Sequence, residues 1–213
     1  MRIKICGITN FEDAIAAYEA GADALGFIFY EKSQRYIEHG TASKIIGKLP
    51  PFITTVGVFV NSSADEINRI VDASGIHMIQ LHGEEPPDII PKLIRPVIKS
   101  FRVHNEFRFE EMEQYRNCYY LLDTYSELGY GGTGEKFDWN LIPANLKHKI
   151  ILAGGIGKDD LGKIQRYVNP AAIDVSSSIE LKPGKKNINK LKELMDELRK
   201  INPRQMHTLR PGL

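Results

Sequence analysis

The sequence predicts an α/β fold, a single (β/α)8 barrel of the TIM type, and three observations carry that reading. Eight short runs are rich in Ile, Val, Leu, Phe and Tyr and mostly lack alternation, as strands buried on both faces do. A helix-like stretch follows each run, most with apolar residues at helical spacing. Successive runs end near positions 6, 29, 60, 81, 102, 123, 153 and 176, so every interval has room for a loop, a helix and a strand. An open doubly wound sheet is the alternative, but such sheets usually have fewer strands and a topological switch point.

Taken in order, the predicted strands are Ile3–Cys6, Ala24–Phe29, Thr55–Val60, His77–Leu81, Val97–Phe101, Tyr119–Asp123, Ile150–Ala153 and Ala172–Val175. Asn10–Ala20 is helical, with apolar residues at 11, 14, 15 and 18. Ala64–Ala73 repeats that spacing, and Ser62 and Ser63 can cap its start. Glu106–Tyr115, Trp139–Leu146, Lys158–Val168 and Asn187–Ile201 complete the clearer helices, while Thr41–Leu49 and Pro87–Ile94 carry weaker patterns. Residues 1–201 therefore read as one catalytic barrel domain. Residues 202–213 hold two prolines and no periodicity, and read as a flexible tail.

Composition narrows the function classes. Lys and Arg total 28 against 27 Asp and Glu, a balance that argues against a nucleic-acid partner. No run approaches the ~18 apolar residues of a membrane span. The opening MRIKICGIT carries charge inside its apolar stretch and has no cleavage signature, so no secretory signal is expected. Two cysteines cannot build a disulfide framework, and free thiols point to the cytoplasm.

In such a barrel the active site forms where the strands end, so polar residues just after each strand should converge. Strand 1 ends at Cys6, which reads either as a small buried hydrophobe or as a base or nucleophile with thiolate character. Cys118 begins strand 6 and should lie at the opposite face. Asp123 follows two leucines; desolvation would raise its pKa and suit a general acid, whereas a turn or cap is the plain alternative. The glycine-rich 129–134 segment after it can approach a ligand and move. Gly154 and Gly155 follow strand 7, and Ser176, Ser177 and Ser178 follow strand 8. Loops at those two positions often hold a phosphate. Gln80 and His82 share one side of strand 4, toward the barrel mouth, and are expected to bind substrate there, with a satisfied core histidine as the plain alternative. Arg35, after strand 2, can clamp a planar carboxylate or lie solvated. No HxH, HExxH or His/Cys set has metal-ligand spacing, so no metal is expected.

These segments together resemble the phosphoribosylanthranilate isomerase family of tryptophan biosynthesis. The residues behind the resemblance are KICGIT at 4–9, SQRYI at 33–37, QLHG at 80–83, LLD at 121–123, GGTGEKFDW at 131–139, LAGGI at 152–156 and DVSSSIE at 174–180. The resemblance implies conversion of N-(5-phosphoribosyl)anthranilate to its 1-deoxyribulose isomer by an Amadori rearrangement, with no cofactor. It implies that Cys6 is the general base and Asp123 the general acid. Arg35 would meet the anthranilate carboxylate, and Asp174 would lie near the substrate. Gly154, Gly155 and Ser176–Ser178 would hold its phosphate. The expected partner is this small phosphoribosyl molecule, with no nucleic acid and no membrane, for a monomer or homodimer. The family usually shows SSG at 176–178; a serine at position 178 would be strained if the family's glycine conformation is kept. A histidine-pathway isomerase doing the same rearrangement typically uses two aspartates, so Cys6 disfavours it. A barrel that binds a phosphorylated ligand without turnover is disfavoured by the presence of both Cys6 and Asp123.

Overall fold

The structure, a computed structural model, describes residues 1–124 and 137–201. The glycine-rich 129–134 segment and the 202–213 tail lie outside the described residues. Eight parallel strands close into a barrel in chain order: β1 (Arg2–Cys6), β2 (Ala24–Ile28), β3 (Thr54–Phe59), β4 (Met78–Leu81), β5 (Val97–Val103), β6 (Cys118–Thr124), β7 (Ile151–Leu152) and β8 (Ala172–Val175). Pairing of Ile3 with Ile173 and Lys4 with Asp174 seals β1 against β8.

Alternation along each strand separates two environments. Ile3 and Ile5 of β1 join the large core beneath the surrounding helices, whereas Lys4 and Cys6 lie on the other face, inside the barrel. Val56, Ile98, Leu121 and Ala153 form a smaller apolar cluster of their own. Three come from β3, β5 and β6 and Ala153 from just past the end of β7, and they fill the barrel as a plug.

Capping sets where the outer helices begin. The side chains of Asn10, Glu38 and Ser63 accept backbone N–H groups ahead of α1 (Phe11–Glu19), α2 (His39–Ile46) and α3 (Ala64–Ser74). The short α4 (Ala144–Lys147), α5 (Leu161–Tyr167) and the long α6 (Ile188–Ile201) follow. Two predicted helices shrink to 3-10 turns. Pro87–Lys92 contains Pro91, which has no N–H for a helical ladder. Phe109–Gln114 replaces the helix expected over Glu106–Tyr115. There Phe107 and Tyr115 stack edge-on against Phe101, so aromatic contacts rather than helical hydrogen bonds place the segment. The sequence reading also passed over a hairpin, β9 (Glu180–Lys182) with β10 (Lys185–Lys186), turned by Pro183-Gly184.

Two buried ion pairs serve the mouth of the barrel. Lys99 on β5 binds Glu85 at 2.7 Å, and Glu85 in turn accepts the N–H groups of Asn61 and Gly83. Lys186 on β10 binds Glu180 at 2.8 Å and donates to the carbonyl of Cys6 at 2.5 Å. Each charge is nearly fully buried, and pairing plus hydrogen bonds offsets its desolvation. Among the described residues no helix is long and apolar enough to cross a membrane.

Candidate active site

The C-terminal ends of the strands open onto one cavity of about 750 Å3, its open mouth included. Every strand except β5 contributes lining at or just past its end, and every site residue expected from the sequence lies on that lining.

Cys6 is buried at the end of β1, opposite Gly26 on β2. A Cβ at Gly26 would stand 2.6 Å from Cys6 Sγ and 3.0 Å from Lys4 Cε, so only glycine leaves room for both side chains there. Burial pushes the Cys6 thiol up from its usual pKa, and the Asp174 carboxylate adds to the rise; the ammonium groups of Lys4 and Lys186 oppose it without cancelling it.

Lys4 was not singled out in the sequence, although the alternation that turns Cys6 inward turns Lys4 inward too. Its Nζ donates to Asp174 Oδ2 at 2.5 Å and to Gln80 Oε1 at 2.7 Å. Burial alone would lower its pKa, but Asp174 and Cys6 hold it above the usual lysine value. Asp174 therefore has one oxygen committed, while its buried Oδ1 has no hydrogen-bond partner among the described residues. Gln80 is buried and its Nε2 lies 3.0 Å from His82 Nδ1, so its amide faces protein groups at both ends.

Asp123, next to last in β6, lines the same cavity with little exposure. Its Oδ1 accepts the N–H of Thr124 at 2.8 Å, and its Oδ2 lies 3.5 Å from His82 Nε2. Cys118 sits at the other end of the same strand, away from the cavity.

Arg35 reaches the cavity wall from the loop after β2, but it is not a loose clamp. Glu180 accepts from its Nε at 3.0 and 3.1 Å and from its Nη2 at 2.8 Å. Nη1 has no hydrogen-bond partner among the described residues and stays available. Burial would raise the Glu180 carboxyl, but Arg35 and Lys186 outweigh it and hold it below the usual carboxylate range. Glu180 and Arg35 are 145 positions apart, and no local motif announced the pair.

The expected phosphate loops lie side by side. Gly154 and Gly155 adopt φ of +95° and +60°, and a Cβ on Gly154 would stand 2.3 Å from Thr124 Oγ1. Glycine is thus required where β7 turns past β6. Ser177–Ile179 form a 3-10 turn, whose first N–H groups have no partner within the turn. The strain considered for Ser178 does not arise: among the described residues only Asn61, Asn117 and Asn169 combine a side chain with positive φ. Its hydroxyl donates to the carbonyl of Ile156 at 2.5 Å, tying the loop after β8 to the loop after β7.

Comparison with known proteins agrees across nearly the whole chain. A family model described as N-(5'phosphoribosyl)anthranilate (PRA) isomerase matches residues 3–197. An N-(5'-phosphoribosyl)anthranilate isomerase of Citrifermentans bemidjiense is 47% identical over 201 residues, covering 94% of this chain and 98% of that protein. The crystal structure of phosphoribosyl anthranilate isomerase from Thermotoga maritima superposes with a TM-score of 0.87 at 41% identity, covering 94% and 99% of the two chains. A crystal structure of such an isomerase in complex with reduced 1-(o-carboxyphenylamino)-1-deoxyribulose 5-phosphate gives 0.83 at 39% identity, with the same coverage.

The serine loop yields a direct check. Because Ser178 has no left-handed strain to relieve, Ser178→Gly should lower stability by about 0.5–1 kcal/mol through added backbone freedom. Loss of the bond to Ile156 adds to that. Urea denaturation measures it, and a stabilised glycine variant would contradict the observed backbone.

Proposed function

The chain belongs to the N-(5'-phosphoribosyl)anthranilate isomerase family and converts N-(5'-phosphoribosyl)anthranilate into 1-(2-carboxyphenylamino)-1-deoxyribulose 5-phosphate in tryptophan biosynthesis; from that premise we propose how its residues divide the reaction. The observation that carries the proposal is the meeting of a thiol, Cys6, and a carboxylic acid, Asp123, on one cavity beside the loops after β7 and β8.

Asp123 acts as general acid. It delivers a proton to the ribose ring oxygen as the C1–O bond breaks and its electron pair moves to that oxygen. The anthranilate nitrogen lone pair forms the C1=N bond, and the iminium acidifies the proton on C2. Cys6 thiolate removes that proton, and the resulting enolamine becomes the C2 ketone as C1 gains a proton. Protons move but no net electrons do, so the chemistry calls for no redox cofactor, and no metal is part of the proposal.

The remaining contacts hold the ends of the substrate. The loops at Gly154-Gly155 and Ser176–Ser178 take the phosphate through backbone N–H groups. Arg35 Nη1 takes the anthranilate carboxylate, with the guanidinium plane set by Glu180. Asp174 Oδ1, buried and unpartnered among the described residues, accepts from a substrate N–H or hydroxyl. Binding energy at the phosphate and the carboxylate then orients the reacting carbons between acid and base. The same proposal takes residues 1–201 as one domain, places the protein in the cytoplasm, and makes it a monomer or homodimer.

Anthranilate fluorescence, followed as substrate is consumed, tests the assignment. Cys6→Ala and Asp123→Asn should each lower kcat by at least ~100-fold, the scale of general acid–base loss, while Cys118→Ala stays near wild type. An inactive Cys118→Ala beside a fully active Cys6→Ala would refute it.

The pH profile supplies the sign of the Cys6 shift. The base works as thiolate, and burial raises its pKa in the free protein. Hence kcat/KM should climb with pH through an inflection above the ordinary thiol value of about 8.5. An inflection clearly below that value would show that the cationic neighbours outweigh burial.

A further inference from the structure

Gln80 and His82 were expected to touch substrate, but their hydrogen bonds point to another task. Lysine is a donor only, so the Gln80 atom 2.7 Å from Lys4 Nζ must be the amide oxygen. That identifies the other end of the amide, 3.0 Å from His82 Nδ1, as the NH2 group, a donor. His82 Nδ1 is then an acceptor, and the ring proton resides on Nε2. Nε2 is the atom that faces Asp123 Oδ2, at 3.5 Å.

We propose that Lys4, Gln80 and His82 form a positioning relay that fixes the His82 tautomer and aims its Nε2–H at Asp123. The inference rests on the reading of Asp123 as the acid. The interaction with Asp123 tightens as Asp123 gives up its proton, because a donor binds a carboxylate more strongly than a neutral carboxyl. Its stabilisation therefore grows toward the transition state and appears in kcat rather than in KM. At 3.5 Å the two atoms stand further apart than an ordinary hydrogen bond, and catalytic contacts are often long before substrate closes a site. The rest of the histidine is held firmly. Its backbone N–H donates to Phe59 O at 2.8 Å, and the next residue, Gly83, is gripped by Glu85 and Lys99. The relay also joins the two halves of the site, since Lys4 lies beside Cys6 and Asp174 at its other end.

Two measurements on the full chain test the relay. Nitrogen-15 NMR of histidine-labelled protein reads the tautomer directly. Wild type should show His82 protonated on Nε2 with Nδ1 bare. Gln80→Glu, whose carboxylate can only accept, should place a proton on Nδ1. A wild-type proton on Nδ1 alone overturns the proposal whether or not any variant folds. In kinetics, His82→Ala should lower kcat ~10-fold or more, the scale of one hydrogen bond to a charged group, with KM unchanged. His82→Gln, which keeps an N–H near the Nε2 position, should recover most of that loss. In an Asp123→Asn background His82→Ala should cost nothing further. If glutamine is no better than alanine, or the loss appears in KM, His82 is a substrate contact or packing group and the relay is wrong. A fully active Asp123→Asn would instead overturn the acid assignment while leaving the tautomer result standing.

Discussion

One buried ammonium organises the inside of this barrel. Lys4 Nζ sits where Asp174 and Gln80 converge, with Cys6 beside it. An unpaired ammonium at that depth would shed its proton or disrupt the fold, so its partners are constrained together. Asp174 is held by one oxygen, while the other is buried without a partner among the described residues. Gln80 is oriented without ambiguity. Cys6, whose thiol burial pushes up, gains a cation that favours its thiolate. The proposed base, the proposed acceptor and the orientation of the histidine all trace to the placement of this one charge.

A second set of buried charges does the same for the rim. Glu180 joins Arg35 from the β2 loop to Lys186 on the hairpin, and Lys186 reaches the Cys6 carbonyl. The hairpin therefore braces the strand that carries Cys6 against the loop that carries Arg35. Such groups cost desolvation, which the mutual pairing offsets, and they gain a site whose donors are set before substrate arrives. That preorganisation is the physical link between a barrel of ordinary apolar strands and a proton-transfer function.

Much of this was legible in the residues. Strands buried on both faces read as unbroken apolar runs, and β8 begins and ends where its sequence pattern does. Loops after strands carry the chemistry in this architecture, so Cys6, Asp123, Gly154 and Ser176 could be placed before any coordinates. What escaped notice depended on distance or on local competition. Arg35 and Glu180 are far apart in the chain, so their pairing is a tertiary fact. Lys4 counted only as part of the charge in the opening apolar stretch, because its partner Asp174 lies 170 positions away. The helix expected at Glu106–Tyr115 lost to aromatic stacking on Phe101. Ser178 showed that a glycine pattern in a family need not imply left-handed backbone at that position in this chain.

The central claim is the division of labour between Cys6 and Asp123, and isotope-labelled single turnovers test it most directly. Substrate carrying deuterium at ribose C2 is mixed with excess enzyme, and the rate is compared with that of ordinary substrate. Cys6→Ser, a weaker base, should make C2 deprotonation limiting and show a clear primary isotope effect. Asp123→Asn should make ring opening limiting and show almost none. A primary effect in Asp123→Asn together with none in Cys6→Ser would contradict the account by reversing the two roles.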